Sequence, residues 1–117
     1  MCHVLIIEDE PLVASSIEDL LALEGATSFA IAGSQKEAVA AAMSKRPSVI
    51  TSDVNLLEGT GPAAVAEIYE RMGPVPVIFV TGNPELCKPC NPPGSILAKP
   101  FTDQALRAAF REAAAAA

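Results

Sequence analysis

Five polar residues with complementary chemistry stand at the ends of apolar runs in this sequence. Glu8 and Asp9 follow the first run, and three later runs end at or beside Asp53, Thr81 and Lys99. Carboxylates that lie close together require a raised pKa or a divalent cation, and oxygen ligands without a neighbouring histidine or cysteine suit Mg²⁺. A lysine and a hydroxyl can hold the oxygens of a phosphoryl group. The set therefore suits phosphoryl transfer to Asp53 as a carboxylate nucleophile.

The apolar runs are predicted to be β-strands. Short runs rich in β-branched residues and bounded by turn residues are typical of buried parallel strands, whereas the alternation of Phe29 and Ile31 indicates a half-covered outer strand. The predicted strands are residues 2–7, 27–32, 48–53, 75–81 and 95–99.

Four helices are predicted between and after these strands. Their starts carry Pro11, the Ser34–Glu37 capping box, Pro62 and the cap Thr102, and the first three end near Gly25, Lys45 and Gly73. Their buried faces are predicted to hold Val13, Ile17, Leu20 and Leu21; Ala38, Val39, Ala42 and Met43; Val65, Ile68 and Met72; and Leu106, Ala109, Phe110 and Ala113. Between Pro84 and Gly94 the prolines allow one helical turn at best.

Alternating strands and helices with short connections predict one α/β domain over residues 1–117. The expected fold is a flavodoxin-like (βα)5 doubly wound parallel sheet in the order 2-1-3-4-5, with the fourth helix short or absent. In that order the ends of strands one and three lie side by side. Asp53 taken singly is most simply a solvated acid at a strand end, but this order would place it beside Asp9, with Thr81 and Lys99 at the same edge.

Composition limits the partners that we expect. The net charge is −6 and the eight basic residues are scattered, which argues against direct nucleic-acid binding. No apolar run approaches the roughly 18 residues of a membrane span, and no signal-type segment is present, so we expect a cytoplasmic protein without membrane contact. Three cysteines, Cys2, Cys87 and Cys90, make a disulfide framework improbable in a reducing compartment.

The polar motifs together resemble the receiver domain of two-component response regulators, over the whole chain. The resemblance is carried by Glu8-Asp9-Glu10-Pro11 after the first strand, Asp53 after the third, Gly61 beyond it, Thr81 after the fourth, and Lys99-Pro100-Phe101 after the fifth. It implies that Asp53 is the phospho-acceptor and that Thr81 is the hydroxyl that moves toward the phosphoryl group. It also implies that Lys99 is the ion-pair partner of that group, with a cis Lys99–Pro100 bond.

The same resemblance implies a metal site and a set of partners. Asp9 and Asp53 would bind Mg²⁺ directly, Glu8 through water, and Asn55 through its backbone carbonyl. The phosphodonor would be a phosphohistidine on a sensor histidine kinase or a histidine phosphotransferase, and the output would be contact with a downstream protein effector. Such a domain is a switch and not an enzyme, although it catalyses its own phosphorylation and dephosphorylation.

Three features depart from the usual receiver pattern. Leu57 stands where receivers often carry a proline, so Gly59 and Gly61 must shape the turn after Asp53. Ile96 stands where many receivers carry an aromatic switch residue. The interval between Thr81 and Lys99 is short and proline-rich. Together with residues 77–82, the shortened interval resembles atypical stand-alone receivers of alphaproteobacterial type and those linked to general stress signalling.

Two alternatives remain open from the sequence. Cys87-Lys88-Pro89-Cys90 has the spacing of a redox or metal motif. The chain could therefore be a degenerate receiver that acts as a binding module, with its state set by a redox-responsive Cys87/Cys90 pair. It could also be the receiver part of a longer protein.

Overall fold

The computed structural model describes residues 2–56, 58–82 and 95–115, and its strands form a single sheet. The strands are β1 (His3–Ile7), β2 (Ser28–Ala32), β3 (Val49–Asp53), β4 (Val77–Thr81) and β5 (Ser95–Ala98). All neighbouring strands are parallel, in the order β2-β1-β3-β4-β5. The helices are α1 (Pro11–Leu23), α2 (Gln35–Ser44), α3 (Gly61–Met72) and α4 (Asp103–Ala115). The predicted doubly wound fold and its strand order are confirmed. The helix predicted to be short or absent falls on residues 83–94, outside the described part of the chain.

Alternation along the central strands sends side chains into two separate cores. On β1, Val4 and Ile6 pack with residues of α1 and α4, whereas Leu5 and Ile7 pack with residues of α2 and α3. Phe79 of β4 is fully buried in the second of these cores. Because both faces are covered, the continuous apolar runs are buried on both sides, and each large side chain contributes about 1.5–3 kcal/mol.

Side chains and glycines define the helix ends where the sequence predicts them. Ser34 accepts a hydrogen bond from the backbone N–H of Glu37 (3.2 Å), and Thr102 accepts one from that of Ala105 (3.0 Å). Thr60 caps α3 in the same way, and Gly73 ends it at a φ of 87°. The Ser34–Glu37 pair differs in one detail from a standard capping box, because the Glu37 carboxylate accepts from the N–H of Gly33 (2.9 Å).

The prediction is wrong for one core residue. Met43 was expected on the buried face of α2, but 43% of it is exposed. It lines a cleft between α2 and α3 and does not face the sheet. The predicted outer position of β2 is confirmed, since β2 pairs only with β1 among the described strands.

No helix among the described residues is both long and apolar enough to cross a membrane.

Candidate functional site

Strand register brings the predicted site residues to one edge of the sheet. Ile7 of β1 pairs with Ser52 of β3, so Glu8 and Asp53 occupy the next position on neighbouring strands. Asp53 in turn pairs with Val80 of β4, one residue before Thr81. Thr81 pairs with Ala98 of β5, after which Lys99 begins the following turn. The carboxyl ends of four strands therefore deliver these groups together, as open parallel sheets do.

Three carboxylates form a cluster at this edge. Glu8, Asp9 and Asp53 each offer an oxygen within 4.8 Å of the others, and theirs is the one cluster of three potential metal ligands among the described residues. Glu8 is buried, whereas Asp9 and Asp53 are half-buried. The Nζ atom of Lys99 lies 3.5 Å from Oε1 of Glu8 and 3.5 Å from Oδ2 of Asp53. Within the described part of the chain, Lys99 thus forms ion pairs with two of the three acids, Glu8 and Asp53.

The electrostatics of the cluster follow from burial and charge. Burial raises the pKa of Glu8 to about 7, and the negative charge of Asp53 adds to the rise. The backbone N–H of Glu10, which donates to Oε2 of Glu8 (3.2 Å), and the charge of Lys99 act in the opposite direction. Burial acts to lower the pKa of Lys99, but the charges of Glu8 and Asp53 outweigh it, and the net pKa is raised. Lys99 is therefore held as a cation beside Glu8, whose raised pKa favours its protonated form.

The donor set fits a small, hard divalent cation. All the ligands in the cluster are carboxylate oxygens, which Mg²⁺ prefers to nitrogen or sulfur. The pKa of Glu8 is raised first by burial and second by the charge of Asp53, and a divalent cation would favour its ionised form. His3 begins β1, at the opposite end of that strand from Glu8, and Cys2 precedes it. Glu8, Asp9 and Asp53 are the residues that would hold the ion.

Thr81 and Asn55 are the other two predicted site residues. Thr81 is buried at the end of β4, and its backbone oxygen accepts a hydrogen bond from the N–H of Lys99 (2.8 Å). Asn55 is exposed two residues after Asp53, where it forms an isolated antiparallel bridge with Thr60. The switch role of the Thr81 hydroxyl and the ligand role of the Asn55 carbonyl stay predictions.

Gly61 and Ser52 pack against the backbone of Asp53 more closely than the sequence indicates. A Cβ atom on Gly61 would lie 1.8 Å from the carbonyl oxygen of Asp53 and 2.3 Å from Oγ of Ser52. The hydroxyl of Ser52 donates to that same carbonyl (3.0 Å). Gly61 was noted as a motif residue, but the reason for it, the close approach of the α3 start to the backbone of Asp53, was not predictable. Ser52 was missed, and only its buried polar character distinguishes it.

The turn after β5 agrees with the sequence predictions. The Lys99–Pro100 peptide bond is cis, as expected. Phe101 is half-buried and packs against the core beneath α1 and α4. Ile96, at the position expected for an aromatic switch residue, is exposed on β5.

Other sequence predictions fall outside the described residues. They concern Leu57, the Cys87/Cys90 pair and the proline-rich interval that begins at Asn83. The alternative of a redox-responsive binding module therefore receives no support from the structure.

The sequence and the structure were compared with those of known proteins, and the matches agree on one family. Residues 4–111 match the model of the response regulator receiver domain family. The chain is 39% identical over 115 residues to the phyllosphere-induced regulator PhyR of Methylorubrum extorquens, covering 95% of this chain and 43% of that protein. The solution structure of the Erythrobacter litoralis PhyR receiver domain superposes with a TM-score of 0.85 at 32% identity, over 96% of this chain and 88% of that one.

A second solved structure has the same fold over part of a longer chain. The anti-anti-sigma factor PhyR of Bartonella quintana superposes with a TM-score of 0.84 at 34% identity, covering 97% of this chain and 48% of that one. The chain spans less than half the length of the curated relatives that it matches.

Proposed function

The chain belongs to the response regulator receiver domain family, and on that premise we propose that it is a phosphoaspartate switch whose acceptor is Asp53. One observation carries the proposal: the Asp53 carboxylate shares a cluster with the acids Glu8 and Asp9, and the ammonium group of Lys99 lies 3.5 Å from it. An isolated surface acid would need neither neighbour. We further propose that residues 1–117 act as a single receiver domain.

The proposed reaction is the transfer of a phosphoryl group to a carboxylate oxygen of Asp53. That oxygen attacks the phosphorus atom, a bond from oxygen to phosphorus forms, and the bond from phosphorus to the donor's leaving group breaks with its electron pair. Lys99 stabilises the negative charge on the transferred oxygens, and the hydroxyl of Thr81 is the proposed donor to one of them. Mg²⁺, when held by Glu8, Asp9 and Asp53 with the carbonyl of Asn55, would supply further positive charge at these oxygens.

The proposed donor is a phosphohistidine on a sensor histidine kinase or a histidine phosphotransferase. A donor protein must bring its imidazole to Asp53, and an apolar cleft of about 540 Å³ lies beside the site. Lys99 lines this cleft together with Phe101 and Leu12, and 85% of Leu12 is exposed. A large exposed apolar side chain next to the acceptor suits contact with the phosphodonor protein.

The proposed output is contact with another protein. The Bartonella quintana relative is described as an anti-anti-sigma factor, and this supports signalling through protein partners. The scattered basic residues and the net charge of −6 also favour a protein partner over nucleic acid. The reactions that we expect the chain to accelerate are its own phosphorylation and dephosphorylation.

The experiment is phosphorylation by a small phosphodonor. The protein is incubated with Mg²⁺ and acetyl phosphate, and its intact mass is measured against an Asp53→Asn variant and a control variant, Asp103→Asn, which changes an exposed acid at the start of α4. Wild type and the control should gain one phosphoryl group, and Asp53→Asn should gain none. Equal labelling of all three would contradict the proposal.

A further inference from the structure

We infer that the turn between β2 and α2, residues 32–35, positions the two loops that carry the proposed metal ligands, with Gln35 as the positioning residue. The inference rests on the proposed function, because it concerns how that metal site is held. The turn itself carries none of the proposed ligands. Its role is to fix the distance between the loop of Glu8 and Asp9 and the loop of Asn55.

The first loop lies directly against this turn. The backbone N–H of Glu8 donates to the carbonyl oxygen of Ala32 at 2.8 Å. A Cβ atom on Gly33 would stand 3.7 Å from Cα of Asp9 and 3.9 Å from the carbonyl oxygen of Glu8. The backbone of Glu8 is therefore hydrogen-bonded to the turn, and the gap between Gly33 and the backbone of Asp9 is no wider than one Cβ atom would fill.

The second loop is held by the next residues of the same turn. The backbone N–H of Gln35 donates to the carbonyl oxygen of Glu58 at 3.1 Å. At Gly59, where φ is +84°, a Cβ atom would lie 2.6 Å from Cβ of Gln35 and 2.5 Å from its Oε1. The side chain of Gln35 thus occupies the space that a side chain at position 59 would need.

The loop that Gln35 supports is closed at its base beside Asp53. Asn55 and Thr60 form an antiparallel bridge, and the N–H of Gly61 donates to the carbonyl oxygen of Val54 at 3.0 Å. A displacement at Gly59 therefore reaches Thr60 and its bridge partner Asn55 within one residue.

The turn is rigid enough to act as a support. Ser34 caps α2 by accepting from the N–H of Glu37, and the Glu37 carboxylate accepts from the N–H of Gly33. These two hydrogen bonds join the turn to the first turn of α2. Mg²⁺ tolerates little departure from octahedral geometry, so the spacing of its ligand loops should set its affinity. Residues that hold ligands in place commonly change metal affinity by about 10–100-fold when they are replaced.

The test is an NMR titration of the full chain with Mg²⁺, following backbone amide shifts at the acidic cluster. Gln35→Ala removes the side chain beyond Cβ that fills the space beside Gly59. Lys36→Ala, which changes the next and exposed residue, is the matched control. We expect Mg²⁺ to bind Gln35→Ala about tenfold more weakly than wild type. Lys36→Ala should bind it as wild type does. The melting temperatures of the two variants in EDTA should agree, because the contact acts on the site and not on the core.

A second variant approaches the same contact from the other side. Gly59→Ala should also weaken Mg²⁺ binding, since its Cβ would displace Gln35. That effect should be smaller when Gln35→Ala is already present, because the 2.5 Å contact with Oε1 is then gone. The 2.6 Å contact between the Cβ atoms of residues 35 and 59 and the strain of positive φ remain, so the effect should not vanish.

Several outcomes would overturn the inference. Equal Mg²⁺ affinity in Gln35→Ala, Lys36→Ala and wild type would do so. A Gln35→Ala variant that melts lower in EDTA yet binds Mg²⁺ normally would also do so, because it would show a purely structural role. A wild-type protein that binds no Mg²⁺ would overturn both proposals. If wild type binds Mg²⁺ but Asp53 gains no phosphoryl group, the proposed function fails and the positioning role of Gln35 stands.

Discussion

The ammonium group of Lys99 lies 3.5 Å from Oδ2 of Asp53, although β4 separates the strands that lead to these two residues. The lysine side chain therefore reaches over the end of β4, where Thr81 is the last residue. Because Lys99 also lies 3.5 Å from Glu8, one cation partly neutralises two acids from different strands. Its position places a fixed positive charge where a phosphoryl group on Asp53 would carry its negative oxygens.

Removal of this cation should separate phosphorylation from metal binding. We expect Lys99→Ala to slow the labelling of Asp53 by acetyl phosphate by about 100-fold, because a preorganised positive charge at the developing oxygens is lost. Mg²⁺ binding should not weaken, since the lysine competes with the metal for the same carboxylates. The measurement is the initial labelling rate at saturating Mg²⁺, with Lys36→Ala as the control. A rate equal to the control would contradict the role given to Lys99.

The raised pKa of Glu8 predicts a pH dependence in the metal-free protein. The folded state keeps the Glu8 proton up to a pKa of about 7, whereas in the unfolded chain the carboxyl titrates near its ordinary value of 4.5. Between these values the folded state binds more protons, so the contribution of Glu8 to stability falls as the pH rises through this window. The melting temperature in EDTA should fall more for wild type than for Glu8→Gln from about pH 4.5 to 7.

Adding Mg²⁺ to the same melting experiment supplies a control. Above pH 7 Mg²⁺ should raise the melting temperature of wild type, because it supplies the charge that the ionised cluster lacks. It should raise that of Glu8→Gln less, since one carboxylate is gone. Parallel pH curves for the two proteins in EDTA would show that Glu8 does not hold its proton in the folded state.

Gly61 packs so closely against the backbone of Asp53 that one added methyl group should lower the free energy of unfolding strongly. Gly61→Ala would place a Cβ atom 1.8 Å from the carbonyl oxygen of Asp53, so α3 or the acceptor strand must shift. We expect the free energy of unfolding to fall by about 3 kcal/mol. Gly82→Ala is the matched control, because no described atom lies within 4 Å of its Cβ position. Chemical denaturation of both variants makes the comparison, and equal stability would contradict the packing.

The apolar cleft beside Lys99 predicts a selective loss of transfer from a protein donor. Leu12→Ala should reduce phosphotransfer from the cognate histidine kinase or phosphotransferase by about tenfold, as expected for an exposed apolar contact at an interface. Labelling by acetyl phosphate should not change, because that donor needs no protein contact. Leu23→Ala, which removes an exposed leucine at the other end of α1, is the control. Equal transfer to both variants would place the donor elsewhere.

The fold and the acidic site followed from the sequence because their signals are local. Continuous apolar runs such as Val4 to Ile7 indicate strands buried on both faces, and the acids and Lys99 follow such runs directly. The sequence did not predict contacts between segments that are far apart along the chain. The need for Gly61 arises only when α3 starts against Asp53, and Gln35 meets Gly59 only after both loops are in place. Met43 follows the helical period of α2 but faces the cleft toward α3, which periodicity cannot show.

The position of the phosphoryl group shows directly whether Asp53 is the acceptor. Wild-type protein labelled with acetyl phosphate and Mg²⁺ is reduced with borohydride, which converts an acyl phosphate to an alcohol, and the peptides are sequenced by mass spectrometry. We expect Asp53 alone to be reduced, with no labelling in EDTA. Reduction at Glu8, Asp9 or a surface acid such as Asp103 instead of Asp53, or a protein that takes no label with Mg²⁺ present, would contradict it.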